Sequence, residues 1–232
     1  MHNIDLVAIW FLLIFGLFVP YIAFKSGRVL RARGMLIPRK RIFINILVMQ
    51  ALFMALSLLT ARVREIRIFR TGRLPLNAVA LAIAVFVIAL LILRLLWLSS
   101  SEEEKRRMLI VRPNARKDIP WWFLVSLAAG TVEEITYRGV MFALVLPITR
   151  NAWLAVAICV LFFALGHASQ GWRRGIFIAA IAFAAHMLVW MTGALYLAMA
   201  LHFTYDFVAG MFYLRWAQQM PGPTSLSSAE NV

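Results

Sequence analysis

The chain has 232 residues, 63% of them apolar and 15% charged, with a formal net charge of +14 and a mean hydropathy of +0.83. Soluble domains average roughly 45–50% apolar and about 25% charged residues, so this composition excludes an ordinary soluble globule and predicts an all-α, polytopic transmembrane bundle. The basic excess is gathered between apolar runs, which fits membrane topology and argues against nucleic acid as a partner.

Runs of about 20 apolar residues are long enough to cross a hydrocarbon core of roughly 30 Å as helices. About seven are read here, at residues 4–24, 41–60, 76–98, 120–146, 152–168, 175–191 and 193–214. The first begins at Ile4 without a basic lead and shows no small-residue cleavage site before Lys25, so it is expected to be a span and not a cleavable leader. A basic connection comes next, with Lys25, Arg28, Arg31, Arg33, Arg39, Lys40 and Arg41. Behind the second run come Arg62, Arg64, Arg67, Arg70 and Arg73. After the third, SSSEEEKRRM at 99–108 reads as a capped, solvated helix start with acids near its positive end. Lys105, Arg106, Arg107, Arg112, Arg116 and Lys117 make this the third basic connection.

If all seven runs cross, the first and third basic connections share a side with Arg173, Arg174 and Arg215. Positive-inside bias then puts the N-terminus outside and the C-terminus in the cytoplasm. The five arginines of 62–73 fall on the wrong side. A re-entrant second run, or an interfacial helix over 61–73, would account for them. The fourth run is long and expected to be tilted or partly interfacial. Cys159, the single cysteine, lies within the fifth run, which leaves no disulfide framework and no cysteine metal site.

The organisation expected is N-terminal membrane helices and basic loops over 1–119, a core over 120–214 and a polar, disordered tail over 215–232. The core holds the unusual residues: Glu133, Glu134, Arg138, His167, His186, His202 and Asp206. An Arg or Asp at a helix centre costs roughly 2.5–3.5 kcal/mol on the insertion scale, so these groups should face inward and meet one another around a polar cavity.

Helix geometry divides their roles. Glu134 and Arg138 are four apart, in the acid-first order that suits an ion pair. Glu133 points about 100° away from Glu134 and is left to project into the cavity, with Ala129 and Gly130 near its face allowing a close approach. His202 and Asp206 share a face of the last run, and His167 ends the fifth. A carboxylate outside any ion pair suits a general base, and imidazoles can hold water or stabilise an oxyanion. His186 has no polar sequence neighbour and is read as structural, while Tyr137 and Tyr205 are read as packing residues.

Three motifs carry a resemblance. EEITYR at 133–138 fits Glu-Glu-x-x-x-Arg, FALGH at 163–167 fits Phe-x-x-x-His, and HFTYD at 202–206 fits His-x-x-x-Asn/Asp. In order and approximate spacing they resemble the CPBP family of intramembrane endopeptidases, which includes CAAX prenyl endopeptidases and proteins linked to bacteriocin self-immunity. The resemblance implies proteolysis within or at the membrane. Glu133 would be the general base, His167 its partner in positioning water, and His202 with Asp206 the oxyanion-stabilising pair, with Glu134 and Arg138 as supporting ion pair. Many members carry Asn at the last motif position. Asp206 cannot donate to an oxyanion unless protonated, so it is read as orienting His202.

The family has been described both as metalloproteases and as glutamate proteases. Glu133, His167 and His202 would be the ligands of a zinc site, but Glu134, already explained by Arg138, would then be a poor base. Metal-free glutamate catalysis is preferred, with no cofactor. The expected partners are membrane lipids and a peptide or protein substrate, lipidated or not. No His-Glu-x-x-His, second intramembrane Asp or Gly-x-Ser-x-Gly is present, which argues against other intramembrane protease types. An inactive binding or immunity protein with the same motifs, and a proton-coupled transporter, are the other readings.

Overall fold

A computed structural model describes residues 6–33 and 37–220. Among these residues the chain is helical with no strand. A first rod is formed by α1 (Leu6–Leu13), a π-helical turn at Ile14–Phe18 and α2 (Val19–Arg33). Next come α3 (Arg39–Val63), α4 (Leu76–Leu98) and the short α5 (Glu102–Leu109). A second composite rod joins α6 (Ile119–Glu133), a π-helical segment at Glu134–Met141 and α7 (Phe142–Thr149). The bundle is completed by α8 (Ala152–Gly166), α9 (Trp172–Thr192) and α10 (Tyr196–Gln218).

Among the described residues, five helical stretches are long and apolar enough to cross a membrane: Leu6–Val29, Arg39–Val63, Leu76–Leu98, Trp172–Thr192 and Tyr196–Gln218. Their outward faces carry Leu52, Val87, Leu91, Leu95 and Ile176, the pattern of a bundle solvated by lipid, and the protein is an integral membrane protein. The count of about seven is therefore established only in part. The fourth run is broken by the π segment with its charged residues. The fifth forms a helix of only 15 residues, about 22 Å at 1.5 Å per residue, shorter than the hydrocarbon core.

Contacts sort the helix ends into two groups. At one end, the Arg39 side chain donates to the carbonyls of Leu109, Ile110 and Arg112 and approaches Asp118 at 3.9 Å. Trp97 stacks on Trp216 at the same end, and Arg174 reaches Met108. At the other end the amide of Arg73 donates to the carbonyl of Thr192. That second end holds the arginines of 62–73, and neither explanation offered for them holds. Arg39–Val63 is a full-length helix, and beyond Val63 the chain is irregular, with Ile68 buried against the bundle.

The capped start at 99–108 is present as a capping box: Ser101 accepts from the Glu104 amide at 3.2 Å and Glu104 from the Ser101 amide at 2.9 Å. Helix α10 runs four residues past the expected boundary at 214, to Gln218. The remainder of the expected tail, 221–232, lies outside the described residues.

Two features position the site. Gly130 lets α10 lie directly on α6, since a Cβ there would stand 2.6 Å from the Phe203 nitrogen. On the other flank α3 packs against α6 and the π segment, where Ser57 and Thr136 share a buried hydrogen bond of 2.9 Å. The principal apolar cluster, with Phe15, Ile135, Val140, Met141, Cys159 and Phe163, closes the bundle behind the charged residues.

Candidate active site

The site forms where α6 turns into the π segment. A π-helical insertion shifts the register of the downstream residues relative to an α-helix, and such insertions concentrate at functional sites. Glu133 is the last α-helical residue and Glu134 the first of the π segment.

Glu134 is 1% exposed. Its Oε1 lies 3.2 Å from Arg138 Nη1 and 2.8 Å from His202 Nδ1. The expected ion pair is present, but Glu134 also holds the imidazole of another helix, a contact the helical spacing does not reveal. Arg138 is buried too. Its Nη2 donates to the Ala182 carbonyl at 3.3 Å, and the guanidinium carbon lies 4.3 Å from the centre of the Phe163 ring. A buried cation stripped of such partners is strongly destabilising, so this cage fixes the rotation of the helix.

Glu133 faces the cavity, as the 100° offset predicts. Its Oε1 accepts from Gln50 Nε2 at 2.8 Å, and its Oε2 accepts no hydrogen bond among the described residues. Gln50, on α3, is a site residue that the sequence reading does not include. The signal was available: a buried amide in an otherwise apolar run, a polar group that membrane helices carry only where it faces the interior.

His202 is the meeting point. With Nδ1–H donating to Glu134, its Nε2 stands 3.9 Å from Glu133 Oε2 and 3.7 Å from Asp206 Oδ2. The Asp206 main-chain carbonyl accepts from Trp122 Nε1 at 3.1 Å, which locks this turn of α10 to α6. His167 lies apart from the carboxylates. Its Nδ1–H donates to the Phe163 carbonyl at 2.9 Å and its ring leans on Phe163, leaving Nε2 as an acceptor.

Glu133, Glu134, Arg138, His167, His202 and Asp206 all line one cavity of about 230 Å³, whose remaining wall is largely apolar and includes Val85, Leu93, Phe177, Ile181 and Leu201. No group of three His, Cys, Asp or Glu side chains among the described residues stands together in metal-holding geometry, His167 being turned to the Phe163 carbonyl. His186 lies outside this cavity, buried against Phe142. Tyr137 packs on Phe163 and Phe15, and Tyr205 on Phe177.

Residues 115–208 match the family model described as type II CAAX prenyl endopeptidase, Rce1-like. That segment contains all three motifs and all six residues above, and over it the CPBP resemblance is borne out. The chain is accordingly similar to membrane-embedded CAAX-type proteases acting on a protein or peptide. No curated protein and no solved structure gives a significant match to the chain.

Proposed function

We propose that the protein is an intramembrane endopeptidase in which Glu133 activates the hydrolytic water. The observation that carries this reading is the division of labour between adjacent glutamates. Each glutamate leaves its Oε2 without a hydrogen bond among the described residues, but Glu134 is 1% exposed and held by Arg138 and His202, whereas the Glu133 side chain is 15% exposed, has no arginine partner among those residues, and stands in the cavity beside His202 Nε2.

In the reaction, Glu133 Oε2 accepts a proton from water as the oxygen attacks the peptide carbonyl. The carbonyl becomes a tetrahedral oxyanion. Collapse breaks the C–N bond while Glu133 returns the proton to the departing nitrogen, giving a carboxylic acid and an amine. His202 Nδ1 already donates to Glu134, so His202 stabilises the oxyanion through Nε2–H as an imidazolium. Asp206 acts on that same nitrogen as an orienting carboxylate. His167 presents Nε2 as an acceptor, suited to holding the water or a substrate amide. The Gln50 amide fixes the Glu133 carboxylate so that the unbonded oxygen faces the substrate.

Glu133 is assigned as the base on its unbonded oxygen in the cavity; zinc held by Glu133, His167 and His202 is the alternative that the chelator arm below decides. For topology, the end of the bundle carrying Lys25, Lys40, Arg107, Arg112 and Arg174 is assigned to the cytoplasm by positive-inside bias, placing the N-terminus outside. The helices of 119–149 and 152–166 are assigned to the membrane as the two further crossings. The substrate is a membrane-associated peptide or protein, whose lipidation the apolar cavity wall would accommodate.

The test is cleavage of a broad membrane-peptide library by detergent-solubilised protein, with Glu133→Gln and a strong chelator as parallel arms. Loss of cleavage in the variant alone supports the carboxylate mechanism. Loss in the chelator arm, restored by zinc, replaces it with a metal mechanism. Peptide binding without any cleavage by the parent assigns a binding protein.

A further inference from the structure

The five arginines of 62–73 lie at the end of the bundle opposite the more basic face, where positive-inside bias disfavours them. One glutamate, Glu65, accompanies them in that stretch. The stretch is fixed on the bundle. Ile68 is buried, the Arg73 amide donates to the Thr192 carbonyl, and Gly72 fits where a Cβ would stand 2.4 Å from that same oxygen. Arg67 and Arg70 are exposed, and among the described residues neither guanidinium makes an ion pair.

Both arginines line a cavity of about 460 Å³, separate from the catalytic one. Its wall is otherwise largely apolar, with Phe142 and Leu146 from α7, Val156 from α8, Val189 and Trp190 from α9, and Leu195 ahead of α10. Along the second composite rod the cavity runs from Arg138 to Pro147, and along α9 from His186 to Gly193. At about 1.5 Å per residue these stretches rise about 10–14 Å, close to half of a hydrocarbon core of roughly 30 Å. The cavity therefore has the depth of one leaflet.

Its two ends differ. At the outer end Trp190, 55% exposed, lies beside Trp153, 57% exposed, with ring centres 5.0 Å apart, and exposed tryptophans near helix ends mark the boundary between lipid and water. At the inner end stand Arg138 and His186, both buried, and His186 Nε2 has no hydrogen-bond partner among the described residues. Arg138 lines both cavities, so it stands between this one and the reacting groups. An apolar chain entering from the arginine end stops at this polar floor, because covering such groups without hydrogen bonds is costly.

We propose that this cavity is a lipid site that seats one acyl chain of an anionic phospholipid, with the phosphate on Arg67 and Arg70. A cavity of leaflet depth fits a chain, the boundary tryptophans set its mouth at headgroup level, and guanidinium groups bind phosphate oxygens with paired donors. A lipid is favoured over an acidic protein segment because the wall beneath the arginines is apolar and lies within the hydrocarbon region. The bound headgroup supplies the arginines of this face with a counter-charge, which accounts for their place against the positive-inside bias. Binding here needs no cleavage, so the site is independent of the endopeptidase reading.

The test uses full-length protein in phosphatidylcholine vesicles that contain a small share of either phosphatidylglycerol or phosphatidylcholine, each with the same photoactivatable acyl chain. Crosslinked residues are mapped after illumination. Phosphatidylglycerol is expected to label 139–156 and 189–195 about tenfold or more above phosphatidylcholine, at roughly fivefold per arginine, and unlabelled phosphatidylglycerol should compete. Leu91 and Leu95, on the exposed face of α4, should show no such preference. Arg67→Gln with Arg70→Gln should remove the preference in the cavity, whereas Arg116→Gln with Arg215→Gln, which together line a different cavity, should leave it. Ala143→Phe, which narrows the cavity, should reduce labelling there with the arginines intact. Equal labelling by the two lipids in the parent overturns the proposal, as does a preference that survives loss of both arginines. A preference unchanged in Ala143→Phe also overturns it, because the chain then lies outside the cavity. Competition by glycerol 3-phosphate as strong as by the lipid overturns it as well, the anion alone then being the ligand. Labelling of the cavity by neither lipid overturns it in favour of an acidic protein partner.

Discussion

His202 Nδ1 donates to Glu134 Oε1 at 2.8 Å, joining the last helix to a glutamate 68 residues earlier. Glu134 is thereby both the counter-ion of Arg138 and the support of His202. The ion pair and the imidazole are one unit, and its members should respond to substitution as a unit.

Glu134→Ala should destabilise the protein by about 3–5 kcal/mol, because it leaves Arg138 buried and uncompensated. Replacing both Glu134 and Arg138 by Met should recover much of that stability without recovering activity, since His202 still lacks its support. Thermal unfolding in detergent beside a cleavage assay checks this. Activity in the double variant would show that His202 needs no orienting carboxylate.

Glu133→Gln should lower kcat by about 10²–10⁴-fold, the usual contribution of a general base, with little change in thermal stability. The substituted amide can still accept from Gln50. Single-turnover cleavage and a melting curve on the same preparation measure the two effects.

Gln50→Leu should reduce kcat by roughly tenfold while leaving the fold intact, because it frees the Glu133 carboxylate to rotate. Gln50→Asn should not substitute, its side chain being one methylene short. If Gln50→Leu is fully active, the hydrogen bond between α3 and Glu133 is structural only.

Gly130→Val should destabilise by about 1–3 kcal/mol or more through overpacking, since the added atoms meet the backbone of Phe203. Gly175→Ala is the control: nothing lies within 4 Å of its added Cβ, and an alanine in a helix is neutral to stabilising by about 0.5–1 kcal/mol. Equal melting temperatures for Gly130→Val and the parent would rule out a tight contact between α6 and α10.

Acidification should loosen the start of α5 independently of the site. The Ser101 amide holds the Glu104 carboxyl below its usual range. A carboxyl depressed on folding stabilises fully above its unfolded value and loses that contribution as pH falls through the folded one. The Ser101 amide resonance should therefore titrate below about pH 4.3, the ordinary glutamate value. Glu104→Gln should abolish that transition.

Sequence alone determined the membrane class, because lipid solvation demands long apolar runs and 63% apolar composition has no other common use. It also determined that Glu133, Glu134, Arg138, His202 and Asp206 must converge, because isolated charges in hydrocarbon are too costly. The i,i+4 spacing of Glu134 with Arg138, and the offset of Glu133, came from helix geometry. What helix geometry cannot report is which helices lie beside one another. Only the tertiary structure brought Gln50 to Glu133 and placed Glu134 against His202. The π-helical register at Glu134–Met141 and the irregular path beyond Val63 were likewise hidden. Both are settled by packing against neighbouring helices, which the residues on any single helix do not encode.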